Sequence, residues 1–312
     1  MTSMKSIGGY FELAERGAGT FPHPDGILLN TGRNAFEHIL GGIPDVQELL
    51  VPYYTCETVL EPIRKLGLRC RRYAIDNRLE IADEIRLSTG QYLVANNYFG
   101  IKDAYIDRLA QEYADRLIVD SAQAFFTKPI SGIPTFYSPR KFVGVCDGGI
   151  AYSWKSDASL PYEYDDSSAR SEHLFLRKEK GAEAGYGAFL QAEKSLENQP
   201  IRRMSAFTEE ILRHIDYEGI RERRRENYAF LHLRLGGVNA LDLPAMDSFA
   251  CPMVYPCLLP NGAELRKKLI ENKVFVAKYW PKVVPFRNLL AIPCDQRMKI
   301  IEVDRIARLI EK

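Results

Sequence analysis

The sequence predicts an α/β protein: a mostly parallel central sheet flanked by helices, followed by a small α+β C-terminal domain. Three observations carry this. Short, unbroken apolar runs alternate with helical patterns through the first half of the chain. Each helical pattern lies between two such runs, as a crossover between parallel strands requires. Past residue 205 the alternation gives way to one long helical stretch and then short mixed elements. We therefore expect a large domain over 1–205 and a small one over 206–312, each with its own apolar core.

In chain order, Ile27-Leu28-Leu29 reads as a strand and 34–40 as the first helix. Residues 48–52 form a second strand, and 56–66 carry Val59, Leu60, Ile63 and Leu66 at helical spacing. Residues 72–75 and 92–95 read as further strands. Ile106, Leu109, Ala110 and Tyr113 mark a helix that leads into the strand Leu117-Ile118-Val119, with Thr135-Phe136-Tyr137 as the next. The stretch 156–185, rich in Ser, Asp, Glu and Tyr, reads as a long surface excursion, a kind of segment that often carries function. From 205 to 235 one helix or a pair should turn Phe207, Ile211, Leu212, Ile215 and Ile220 inward, with the charge run 221–226 as a solvated face. The remaining expectations are an apolar stretch at 253–255, a helix at 265–270, strands at 274–276 and 289–292, and a closing helix at 301–310.

The bulk properties exclude several classes. With net charge +1 and interspersed signs, no global field favours nucleic acid or an anionic membrane. No stretch has the length of a signal peptide's apolar core or of a membrane span, so a cytoplasmic protein is expected. Six cysteines and five histidines are scattered, without zinc or redox spacing, so reduced core thiols and no metal are expected. No G-x-G-x-x-G follows a strand, which argues against a dinucleotide-dependent oxidoreductase.

In a parallel sheet, ligands bind beyond the carboxyl ends of the strands. Asp120 ends one strand there, and Lys141 follows the next. Taken singly, the Asp can be a helix N-cap and the Lys a solvated surface group. Together they suit pyridoxal phosphate: a lysine amine to form an imine with the aldehyde, and a carboxylate to hold the ring nitrogen protonated. Gln123 can hydrogen-bond a ring substituent. Asn30-Thr31-Gly32-Arg33-Asn34 joins a strand to a helix; its free N–H groups, Gly32 and the charge of Arg33 suit a phosphate, although Thr31 or Asn34 can also act as plain caps.

The runs IVDSAQAFF (118–126) and TFYSPRKFVGVCDGG (135–149) resemble the core of the DegT/DnrJ-type sugar aminotransferases, a branch of the fold-type I pyridoxal phosphate enzymes. The family's E-D-x-A-Q run matches at Asp120 and Gln123. Its H-x-x-K-x-x-x-x-G-E-G-G run matches at Lys141, Gly148 and Gly149, with Asp147 at the glutamate. LLNTGRNAF (28–36), LLVPYYTCETVLEPIRKLG (49–67), YLVANNYFG (92–100) and VFVAKYWPK (274–282) resemble its phosphate loop and its v-P-x-x-T-f-x-a-t, v-H-l-y-G and H-Y-x-P segments. The resemblance implies the fold-type I fold, Lys141 as the Schiff-base lysine and Asp120 as the ring-nitrogen partner. It implies cofactor contacts from Thr31, Gly32, Arg33, Tyr54, Cys56, Asn97 and Gln123.

Three positions depart from the pattern. Cys56 replaces an aromatic ring that stacks on the cofactor, which leaves that task to Tyr53 or Tyr54 or makes the stacking weaker. Phe136 replaces a phosphate-binding serine, and Asn97 a histidine.

The resemblance further implies an amino donor, by analogy glutamate, and a keto-sugar acceptor that is nucleotide-linked, in polysaccharide or specialised-metabolite synthesis. It also implies a homodimer whose pocket Tyr279 and Trp280 or the 156–185 stretch helps to complete. The alternative is a cofactor-binding member without transaminase activity, in a regulatory or structural role.

Overall fold

The computed structural model describes residues 6–153 and 162–311. A seven-stranded sheet in the order β2-β8-β7-β6-β5-β3-β4 organises the first half of the chain. Its strands are β2 (Ile27–Leu29), β3 (Glu48–Pro52), β4 (Arg69–Tyr73), β5 (Gln91–Asn96), β6 (Leu117–Ser121), β7 (Thr135–Tyr137) and β8 (Gly149–Tyr152). Neighbours from β4 through β7 pair in parallel, and β8 runs antiparallel to both β7 and β2. Helices α1 (Gly32–Gly41), α2 (Leu60–Lys65) and α3 (Asp103–Tyr113) make the crossovers. The carboxyl ends of β3, β5, β6 and β7 therefore lie along one edge.

Most elements fall where periodicity puts them. Strand β4 starts three residues before its expected position at 72, because Arg69, Cys70 and Arg71 are exposed on an edge strand and give no apolar signal. The expected 56–66 helix splits into a 3-10 turn at Glu57–Val59 and then α2.

The 156–185 stretch is not a loop throughout. Residues 154–161 lie outside those described, but α4 (Glu172–Lys180) follows and buries His173, Leu174 and Arg177. Helix α5 (Tyr186–Ser195) packs beside it.

The 205–235 stretch is a pair, α6 (Ala206–Arg213) and α7 (Tyr217–Leu235). Ser205 caps α6 by accepting from the Thr208 N–H. Leu212, Ile215 and Ile220 point inward as expected, but Phe207 is 42% exposed. The buried face of α6 runs through Thr208 and Leu212, one turn apart, and leaves Phe207 on the flank.

The charge run is not wholly solvated either. Arg224 has no exposed surface and donates to the carbonyls of Pro252, Met253 and Phe142 and to Gln296 Oε1. Its guanidinium also lies 4.7 Å from the Phe142 ring centroid. A buried cation is tolerable only with such satisfaction of its donors.

Beyond α7 come β9 (Val254–Leu258), α8 (Gly262–Glu271), β10 (Val274–Phe275), β11 (Leu289–Pro293) and α9 (Ile300–Glu311). Strand β9 pairs antiparallel with β11, and β10 pairs in parallel with β1 (Ile7–Gly8).

Two apolar clusters hold the molecule. One fills the space between the sheet and helices α1 and α2, with Leu29, Phe36, Leu49, Val94, Ile118 and Phe136. The other runs without a break from Leu50, Tyr98 and Phe142 to Leu212, Tyr228, Leu259 and Ile306. The two halves of the chain thus share one core, where separate cores were expected, because α7 and β9 pack on side chains from the sheet's other face. Among the described residues no helix is long and apolar enough to cross a membrane.

Candidate functional site

The site forms at the carboxyl edge of the sheet, on the face covered by α1 and α2. Side chains alternate along a strand, so Ile118 and Asp120 share a face, and Ile118 belongs to the α1/α2 cluster. Asp120 is 6% exposed, and one of its oxygens accepts from the Ala122 N–H at 2.9 Å. Burial pushes the carboxyl's pKa up; the charge of Lys141 and the Ala122 bond pull it partly back. The lysine follows β7 on a 3-10 turn, Pro139–Lys141, that opens with proline. The fold thus brings Asp120 and Lys141 into electrostatic reach.

The proposed phosphate turn is built by close packing of main chains. Gly148 donates its N–H to the Asn30 carbonyl at 2.6 Å, with φ at +125°. A Cβ on Gly149 would sit 2.1 Å from the Thr31 carbonyl oxygen. The two glycines therefore let β8 lie against the turn that begins α1. Thr31 is that helix's N-cap, with its hydroxyl accepting from the Asn34 N–H at 3.0 Å. The first-turn N–H groups of Gly32 and Arg33 have no partner within a helix. Arg33 does not supply the expected free charge: its guanidinium is paired with Glu61 of α2 at 3.0 Å.

Ser138 lies beside this turn, its Oγ 3.9 Å from the position a Gly32 Cβ would take. The sequence reading passed over it. The available signal was the period of two in an extended chain, which gives Ser138 the same side as the serine-replacing Phe136. Phe136 itself is spent on packing, stacked 4.9 Å from Phe36.

The other expected contacts are mixed. Tyr54 is fully buried, its ring perpendicular to Trp280 at 4.3 Å and 4.5 Å from Phe286, with its hydroxyl left without a partner. Tyr53 is 55% exposed, with Arg72 over its ring. Cys56 is partly buried, and its Sγ accepts from the Thr58 hydroxyl at 3.1 Å. Tyr279 stands close enough to both Tyr54 and Cys56 to couple to them electrostatically, and burial lifts its phenol to about 12. The 279–280 segment therefore does approach this end of the sheet.

Asn97 is committed to the fold rather than to a ligand. Its NH2 donates to Asp103 at 2.6 Å, and its oxygen accepts from the Lys102 N–H at 3.0 Å. The Gln123 oxygen accepts from the Phe99 N–H at 2.8 Å, which leaves the NH2 as the amide's other polar end.

Asp147, at the family's glutamate position, is a buried anchor. It accepts from the Ser205 N–H at 2.8 Å, from the Ser205 hydroxyl at 2.7 Å and from Thr208, and so ties the glycine pair to the start of α6.

These residues fit pyridoxal phosphate. The donor set combines a buried carboxylate, a lysine and a helix N-terminus, and one neighbouring buried acceptor, Asn96 Oδ1, has no partner.

No protein-family model and no curated protein sequence matches the chain. Solved structures do. The aminotransferase TlmJ from Streptoalloteichus hindustanus superposes with a TM-score of 0.65 at 15% identity, covering 98% of each chain. The sugar aminotransferase CalS13 from Micromonospora echinospora gives 0.56 at 16%, over 92% of this chain and 87% of that one. A DegT DnrJ EryC1 StrS aminotransferase from Brucella abortus gives 0.58 at 16%, over 92% and 85%. The chain therefore has the fold of the DegT/DnrJ-type sugar aminotransferases, the fold-type I architecture that its motifs resemble.

Proposed function

We propose that the protein is a pyridoxal phosphate-dependent aminotransferase. It moves an amino group from an amino acid, glutamate, to a keto-sugar, nucleotide-linked, and works as a cytoplasmic homodimer whose large part, before residue 205, carries the site and shares its core with the smaller part after it. The observation that carries the reading is the meeting of buried Asp120 with Lys141 at the sheet edge. When bound, pyridoxal phosphate supplies an aldehyde that condenses with amines and a ring that accepts electrons.

The chain's own residues do the rest. Asp120, fixed by the Ala122 N–H, would hold the ring nitrogen of the cofactor in its protonated form. Lys141 would supply the amine that condenses with the aldehyde and would carry a proton between two carbons. The α1 N-terminus, beside Ser138, orients an anionic group. Tyr279 and Trp280 wall the site at Cys56 and help to exclude water.

A second reading, a cofactor-binding protein without transaminase activity, draws on Tyr54 and Arg33. Both are engaged within the fold. Glutamate added to the cofactor-loaded protein separates the two readings. An active enzyme converts the cofactor to its amine form and releases 2-oxoglutarate; a silent binder leaves the spectrum unchanged.

A further inference from the structure

Asn96 ends β5 and is the direct register partner of Asp120 on β6. Partners in a parallel pair point to the same face, so both side chains stand on the α1/α2 side of the sheet. Asn96 is 5% exposed. Its NH2 donates to Thr55 Oγ1 at 3.0 Å, which fixes the plane of the amide, and its Oδ1 is buried with no hydrogen-bond partner. A buried acceptor without a donor is costly, and such groups usually mark the seat of a ligand or an ordered water. One Asp120 oxygen is already taken by its own turn.

We infer that Asn96 is a binding residue for the ring edge of the cofactor: its Oδ1 and the Asp120 carboxylate together form a two-acceptor seat for the proton on the ring nitrogen. The inference rests on the pyridoxal phosphate reading. It gives the Asn96–Thr55 bond a role as well, since Thr55 holds the amide so that its oxygen faces the site and not its NH2. The same bond ties β5 to the 53–56 turn that carries Cys56.

The test compares wild type, Asn96→Val and Asn96→Asp in affinity for pyridoxal phosphate and for its 1-deaza analogue, which has carbon in place of the ring nitrogen. Asn96→Val removes the amide and keeps a residue that suits a buried strand. It should weaken pyridoxal phosphate binding by about tenfold, the usual loss for one buried hydrogen bond, and leave the deaza analogue unchanged. The variant's cofactor-free melting temperature should not fall, because the substitution also removes an unsatisfied acceptor. Asn96→Asp keeps an acceptor in place and should retain the preference for the ring nitrogen. Equal weakening of both ligands by Asn96→Val, or no weakening, overturns the inference while leaving the cofactor assignment intact. If the wild type binds neither ligand, the cofactor assignment itself is wrong and the inference falls with it.

Discussion

The side-chain amide of Gln296 donates to the main-chain carbonyl of Phe142, 2.8 Å away, and Phe142 is the residue that follows Lys141. Arg224 of α7 donates to the same carbonyl at 3.4 Å and to Gln296 Oε1 at 2.8 Å. The turn that presents the lysine is thus held from behind by residues more than eighty positions later in the chain.

Replacing Arg224 with Met removes a guanidinium that serves several buried carbonyls and leaves those acceptors unpaired. The expected cost is about 3 kcal/mol or more, read as a lowered urea midpoint with an unchanged slope. Arg224→Lys should also destabilise, because one ammonium cannot reproduce the planar fork. A loss under about 0.5 kcal/mol, the scale of an ordinary surface substitution, would return the residue to the solvated face that its charged neighbours suggest.

Gly149→Ala places a Cβ 2.1 Å from the Thr31 carbonyl, and neither backbone can move without shifting the start of α1. We expect weaker pyridoxal phosphate binding, by tenfold or more, with a lowered melting temperature. Gly237→Ala, at an exposed position outside the left-handed region where a Cβ would meet nothing within 4 Å, serves as the control for a substitution away from the site. Affinity unchanged in Gly149→Ala would mean that the turn does not hold the phosphate.

The site's main axis was legible because strand ends, a parallel sheet and motif spacing all fall within short stretches of sequence. That placed Asp120 and Lys141 at neighbouring strand ends and the Thr31–Arg33 turn at a helix start. What was illegible depends on partners distant in sequence. Arg33 looks free until α2 brings Glu61 to it, and Arg224 looks solvated because the charged residues on both sides of it dominate the local pattern. Asn97 and Asn96 are adjacent and alike in sequence. Only the strand register turns one into the fold and sets the other beside Asp120. The pairing of β1 with β10 joins residues over 260 positions apart, and a two-residue strand carries no periodicity to announce it.

Asp120 gives a pH signature. Its folded pKa is raised by burial, so the native cofactor-free protein holds a proton that the unfolded chain releases near pH 4. Stability should therefore be lost as pH rises through that value toward the raised one. Asp120→Asn should make the cofactor-free protein more stable at pH 7, with the gap closing below about pH 4. It should also weaken pyridoxal phosphate binding. Melting curves from pH 4 to 8 with no such divergence would show that Asp120 is not buried as a lone charge.

His23 acts in the opposite sense. Burial lowers its pKa to about 4, with Nε2 on the Phe125 carbonyl at 2.5 Å. Its contribution is present above the unfolded value of about 6.5 and is lost as pH falls toward 4. His23→Gln should flatten the fall in stability between those limits. A slope identical to wild type would assign the acid sensitivity elsewhere.

The central claim is that Lys141 and Asp120 serve pyridoxal phosphate. Its most direct test is borohydride reduction of the protein with added pyridoxal phosphate, followed by mass spectrometry of the peptide that contains residue 141. The account predicts a stable pyridoxyl adduct on Lys141, abolished in Lys141→Ala and accompanied by loss of the visible absorbance. An unmodified Lys141 peptide under saturating cofactor would contradict it and leave the family's fold without its chemistry.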